Sequence, residues 1–273
     1  MRLAAIILGA AAWAAAGPAA AASLQVVTGF VQQGGLVRGL AAPGDRVTAN
    51  GREVPVASDG RFVVGLGPEE PAQLELEAVD RNGAVARVGI AVGRREYVTQ
   101  RIDGLAPATV SPDPAALERI RREGELVRAA RRGVSAETGF AQDLRWPARG
   151  TITGVYGSRR ILNGEARAPH WGVDIAAPEG SPVAAAADGV VTLAADLFLT
   201  GNTVVIDHGL GLSTTYAHMA QLAVAPGAHV RQGETIGTVG ATGRATGPHL
   251  HWGADWLDLR LDPQLIAGPM PPG

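Results

Sequence analysis

The chain contains no cysteine. That excludes disulfides, thiolate metal ligands, cysteine nucleophiles and lipid attachment through a cysteine, and it leaves the redox compartment open. Lysine is missing too, because all 24 basic residues are arginine. A cofactor arm linked to a lysine therefore has no residue to carry it. Net charge is also small, at −2. No bulk electrostatic case for nucleic acid exists.

What is present fits a folded protein. At 46% hydrophobic and 18% charged residues, the composition is globular rather than disordered. A length of 273 residues suffices for one large domain or two modest ones with real cores. The N-terminus has Arg2, an apolar run, a Gly17-Pro18 break and small residues up to Ser23. That is the order of a secretory signal peptide over residues 1–22, with Ala20-Ala21-Ala22 as an A-x-A-like cleavage site. The alternative is an uncleaved anchor, but an Ala-rich run broken by Gly and Pro suits cleavage better than spanning. The mature protein is expected to be exported, with no lasting membrane anchor.

Residues 23–103 read as short strands with turns. Asn50-Gly51, Asp59-Gly60 and Asn82-Gly83 are hairpin signals, and Leu74 to Val79 alternates as a strand does. This spacing predicts a small β-sandwich of immunoglobulin-like type. No histidine lies in it, so spacing, docking or binding is its expected role, and its removal is expected to leave any histidine site intact. Residues 104–144 read as a linker holding one helix, with Asp113 as N-cap, Pro114 at the first helical position and Gly133 as the stop. Leu117, Ile120 and Val127 fall on one face of that helix. Its other face carries Arg119, Arg121, Arg122, Arg128, Arg131 and Arg132 against Glu118, Glu123 and Glu125. A solvated face explains that strip better than contact with an anionic polymer.

From residue 145 to 268 glycine is dense and β-rich runs alternate with turns, leaving 269–273 as a tail. All six histidines lie in this part. The stretch GPHLHWG places His249 and His251 two apart, so on a strand both rings share one face. Upstream, His170 and Asp174 are four apart in APHWGVDIAAP, where Gly172, Val173, Ile175 and Pro178 argue for a loop entering a strand. Adding His251 gives two imidazoles and one carboxylate. Zinc in hydrolytic sites commonly has three protein ligands and an open fourth position, although ligand type alone leaves other divalent ions possible. If His251 holds the metal, His249 faces the same water and can accept its proton. His218, in TTYAHM, can orient that water or stabilise an oxyanion. His208 before its turn reads as structural, and His229 as an exposed bystander.

Together HWGVD, YAHM and TGPHLHW, with GSPVAAAADGVV and VRQGETIGTVG between them, resemble the lysostaphin-type (LytM-domain) zinc metallopeptidases over about residues 147 to 265. The resemblance implies a C-terminal antiparallel β peptidase domain, hence a mainly β protein. It implies one zinc per chain on His170, Asp174 and His251, and a catalytic pair of His218 and His249. It further implies hydrolysis of peptide crosslinks in peptidoglycan, with the stem peptides as partner. The periplasm is then the expected location, with secretion outside the cell as the alternative and a monomer as the expected state. Trp252 stands where the family often has a smaller aromatic, which should alter packing more than ligation. Arg160 and Asn163, just before the first ligand, are candidate substrate contacts. The rival within the resemblance is a non-catalytic activator of another cell-wall hydrolase, which the full ligand set disfavours. A cupin would place its PGAH-like motif after the H-x-H rather than before it, and a lipoyl-type carrier needs a lysine.

Overall fold

The computed structural model describes residues 22–104 and 111–271. The expected signal peptide lies outside the described residues apart from Ala22, as do residues 105–110 of the expected linker. Seven strands come first: β1 (Leu24–Gly29), β2 (Leu36–Ala41), β3 (Arg46–Ala49), β4 (Arg52–Val54), β5 (Arg61–Gly65), β6 (Gln73–Val79) and β7 (Val85–Ala91). They form two antiparallel sheets, ordered β1-β2-β5 and β4-β3-β6-β7. The β3–β4 turn has φ of 48° at Asn50 and 79° at Gly51, both in the left-handed region that a type I′ hairpin demands. Strand β6 buries Leu74, Leu76 and Ala78 and turns the intervening residues outward, as strand pleating dictates. Leu36, Val37, Phe62 and Val63 fill the space beside them.

The next elements do not respect a boundary near residue 103. After β8 (Thr99–Ile102) comes helix α1 (Pro114–Arg131). Asp113 caps it by accepting a hydrogen bond from the Ala116 N–H at 2.8 Å. The helix lies on the central sheet of the C-terminal part. Its inner face differs from the expected one: Ile120 and Val127 are half-buried, but Leu117 is 52% exposed. Gly124 and Glu123 face inward instead, and so does Arg131. Arg131 leaves the charged strip to reach Asp255 at 3.2 Å and donates to the Thr215 hydroxyl. Arg121 and Arg119 stay outside, paired along the helix with Glu118, Glu125 and Glu123.

The C-terminal part supplies β9 (Thr151–Gly154), β10 (Arg159–Leu162), β11 (Glu165–Arg167), β12 (Val173–Ala176), β13 (Pro182–Ala184) and β14 (Gly189–Leu197). It continues with β15 (Gly201–Gly209), β16 (Leu212–Leu222), β17 (His229–Val230), β18 (Thr235–Val239), β19 (His249–Trp256), β20 (Leu259–Leu261) and helix α2 (Pro263–Ala267). Ten of these strands form one sheet with the central order β17-β14-β15-β16-β19-β12-β9. Each neighbouring pair along that path is antiparallel. Strands β15 and β16 are buried almost throughout, polar Thr203, Asp207, His208, Ser213, Thr214 and Thr215 included. A separate three-stranded sheet, β11-β10-β8, joins the two halves, with β8 parallel to β10.

The two halves also share one hydrophobic core. A Cβ on Gly65 of β5 would lie 2.6 Å from the Trp256 Cβ, so the backbone of the N-terminal sheet sits directly against β19. Arg95 pairs with Asp262 at 2.8 Å, and Arg52 pairs with Asp258. Among the described residues, no helix is long and apolar enough to cross a membrane.

Candidate metal centre

The sheet register assembles the site. Asp174 on β12 lies opposite His251 on β19, and His249 lies opposite Ala176. Ala217 on β16 pairs with His251 from the other side, so His218 leaves β16 beside the same spot. His170 enters from the loop before β12, its N–H bonded to the Ser158 carbonyl at 2.9 Å. Five expected residues thus converge from three neighbouring strands and one loop.

Three donor atoms form a tight triangle. His170 Nε2 lies 2.8 Å from His251 Nδ1, and Asp174 Oδ1 lies 2.9 Å from each of those nitrogens. His170 and Asp174 are buried, at 4% and 8% exposure, and His251 is half-buried. Burial would push the Asp174 carboxyl up, but hydrogen bonds to His170 and His251 outweigh it and hold the group well below the usual carboxylate range. Burial pushes the His251 imidazole down to about 4, so its ring is neutral at pH 7. Two lone-pair nitrogens and a carboxylate oxygen this close cannot all be satisfied by one shared proton. A small divalent cation with nitrogen and oxygen preferences satisfies all three, and the donor set is the one zinc accepts.

The other two histidines stand beside the triangle rather than in it. The His249 Nε2 is 3.9 Å from Asp174 Oδ1. The rings of His218 and His249 have centroids 4.7 Å apart. Backbone carbonyls assign the tautomers: the Nδ1–H of His249 donates to Gly247 at 2.8 Å, that of His218 to Thr242 at 2.8 Å, and that of His170 to Val155 at 3.3 Å. In its neutral form each of these rings therefore presents Nε2 as a lone pair. Burial, then the neighbouring His249 and His251, pushes His218 down to about 3, so it too is neutral. His218 has φ of 63°, a region costly for a side chain with a Cβ and frequent at functional positions. Its N–H bond to the Thr200 carbonyl at 2.8 Å holds it there.

The structure separates the two candidate substrate contacts. Arg160 donates to Asp174 Oδ2 at 2.6 Å, with its side chain 18% exposed. Asn163 has φ of 48° in the two-residue turn between β10 and β11, and Gly164 follows at 85°. An Asn-Gly turn of that kind is what a hairpin needs. The Asn163 N–H bonds to Ile102.

Of the remaining histidines, His208 is fully buried and His229 is exposed beside Glu137. Trp252 is also fully buried and packs its ring against Trp146, with centroids 5.4 Å apart. Sequence reasoning missed Gly154, where any Cβ would collide with the Asp174 carboxylate. It also missed the carbonyls of Val155, Gly247 and Thr242, which no side-chain pattern can reveal.

Comparison with known proteins adds four findings. A family model described as peptidase family M23 matches residues 168–263, a span that contains all five converging residues. A DD-carboxypeptidase/endopeptidase of Neisseria meningitidis is 48% identical over 102 residues, 37% of this chain and 24% of that protein. A peptidoglycan DD-endopeptidase of Vibrio cholerae is 47% identical over 114 residues, 41% of this chain and 26% of that protein. The matched segment thus spans about a quarter of the length of these curated relatives. A crystal structure of a peptidase M23 from Pseudomonas aeruginosa is 31% identical, covers 88% of this chain and 96% of its own, and superposes with a TM-score of 0.68.

Proposed function

The chain belongs to peptidase family M23, and on that premise we propose that it is an exported zinc metalloendopeptidase that hydrolyses peptide crosslinks of peptidoglycan in the periplasm. The observation that carries the reading is the triangle of His170, Asp174 and His251 donor atoms with the His218 and His249 rings beside it. These three residues would hold one zinc ion. When bound, zinc supplies Lewis acidity toward the scissile carbonyl and toward the attacking water.

The chain's own groups do the proton work. The His249 Nε2, freed for this by the Nδ1–H bond to Gly247, accepts a proton as water adds to the carbonyl carbon. The same Nε2–H then donates to the leaving nitrogen as the C–N bond breaks, so the proton count closes. His218 also presents Nε2 as an acceptor, and it orients the same water. The name of the Vibrio cholerae relative supports peptidoglycan as the substrate, and the signal-like N-terminus supports export.

The test is zinc content and muropeptide release on the same preparations of wild type, His251→Ala, His249→Ala and His218→Ala. His251→Ala should lose zinc and activity together. His249→Ala and His218→Ala should stay folded and keep most of their zinc while turnover falls by roughly two to four orders of magnitude, the range for a general acid–base group. A folded His249→Ala that loses zinc as fully as His251→Ala would show that the pair is a double ligand.

A further inference from the structure

We propose that Arg160 is a positioning residue for the metal-binding carboxylate, gripping Asp174 by the oxygen that the donor triangle leaves over. The inference rests on the ligand reading above. Its starting point is the division of labour between the two oxygens of Asp174. Oδ1 sits in the triangle, 2.9 Å from His170 Nε2 and from His251 Nδ1. Oδ2 accepts from Arg160 Nη2 at 2.6 Å.

A carboxylate has no strong torsional preference about its last bond. Left alone, Asp174 can rotate, exchange its oxygens or present both. A charge-assisted bond to one oxygen removes that freedom. The backbone closes the remaining side. Gly154 on β9 lies opposite Asp174 in the register, and a Cβ there would collide with Oδ2. The carboxylate is therefore held between a guanidinium and bare backbone, with one oxygen directed at the imidazoles.

Arg160 is itself fixed by long-range structure. It sits on β10, opposite Gln100 of β8 and Arg167 of β11. The Arg159 N–H bonds to the Val98 carbonyl at 2.8 Å, and the Gln100 side chain donates to the Thr153 carbonyl at 3.1 Å. Without β8, the β10–β11 hairpin would be a two-stranded ribbon, which is marginal in water. The Arg160 Nε is buried with no hydrogen-bond acceptor.

A substrate contact and a positioning residue predict different measurements. Loss of a substrate contact raises KM and leaves metal affinity alone. Loss of a positioning residue weakens the metal and lowers kcat, with KM little changed. Coulomb repulsion offers a third outcome, because removing a cation beside a dication's site would tighten metal binding. Outer partners of metal ligands typically matter by about 10–100-fold in affinity or activity, so positioning should win.

The experiment uses the full-length mature chain and zinc alone as probe, with affinity measured by competition against a chelator. The variants are Arg160→Ala, Arg160→Met, Arg160→Lys and, as control, His251→Ala, with fold checked by circular dichroism. Arg160→Ala and Arg160→Met should bind zinc about 10–100-fold more weakly. Arg160→Lys should recover part of the loss, and kcat should fall in the same order. If Arg160→Ala fails to fold, the Met and Lys variants carry the comparison. Wild-type zinc affinity, tighter zinc binding, or a raised KM alone in these variants overturns the proposal and leaves the ligand reading standing. A wild-type chain that binds no zinc overturns the ligand reading and this inference with it.

Discussion

Acid should destabilise this protein through one histidine outside the donor triangle. His208 has 0% exposure. Its Nδ1–H donates to the Asp188 carbonyl at 2.7 Å, and its Nε2 accepts from the Thr214 hydroxyl at 2.7 Å. Thr214 in turn meets the Tyr216 hydroxyl at 2.8 Å, which accepts from the Ala186 N–H at 2.8 Å. A proton on Nε2 would force the Thr214 hydroxyl to turn round and would leave a charge where no water reaches it. Burial accordingly pushes His208 down to about 4, against an opposing pull from Asp188. Because the folded value lies below the unfolded one, the unfolded state binds the extra proton, and stability falls as pH drops from about 6.5 toward 4. Between pH 7.5 and 4.5 the loss from this residue alone should be about 2 to 3 kcal/mol. The assay is urea unfolding of wild type and His208→Asn at both pH values. Asparagine keeps a donor near the Nδ1 position and cannot titrate, so carboxylate effects cancel in the difference. His208→Asn should be less stable at pH 7.5, where it loses the Thr214 bond, by about 1 to 3 kcal/mol. The gap should then close or reverse at pH 4.5. An equal loss of stability in both proteins on acidification would refute the argument.

Two further outcomes concern how the halves are joined. Asp255 is 3% exposed as a side chain and faces both Arg131 at 3.2 Å and Arg260 at 2.9 Å. Asp255→Ala should therefore cost about 3 to 5 kcal/mol in urea unfolding at neutral pH by stranding the buried Arg131 charge; a loss below about 1 kcal/mol would mean that the pair does not hold helix α1 down. Removing residues 23–103 strips β8 from β10 and uncovers Trp256 and Leu261, now 1% and 0% exposed. The shortened chain should be less soluble and hold less zinc than the full one. A soluble, zinc-replete fragment would return the metal site to independence, as the position of its ligands along the chain alone suggests.

The contrast between what the sequence reveals and what it hides follows from separation along the chain. His249 and His251 share a face because a strand repeats every two residues, and His170 leads Asp174 because Gly172 and Pro178 bracket a loop and a short strand. These are local facts, and pattern reading reaches them. So are the Asn50-Gly51 turn and the alternation of β6, whose buried and exposed residues follow the letters. Arg160 is the opposite case. Its local neighbourhood reads as a loop before a ligand, which invites a substrate role. Its actual partners are Asp174, set by a salt bridge across 14 residues, and β8, which is four residues long and pairs with β10 in parallel about half a domain away. A parallel pairing needs a long crossover and leaves no turn signal between its strands. Helix α1 fails for the same reason: its charges look alike in sequence, yet Arg131 turns inward because Asp255 lies 124 residues on. The left-handed backbone of His218 is equally silent, since a histidine advertises no such conformation. The members of the donor triangle can thus be read from short motifs, while the Arg160 contact to Asp174 comes from a pairing that only the assembled sheets create. That is why the Arg160 variants on β10 probe this site from outside every motif that first marked it.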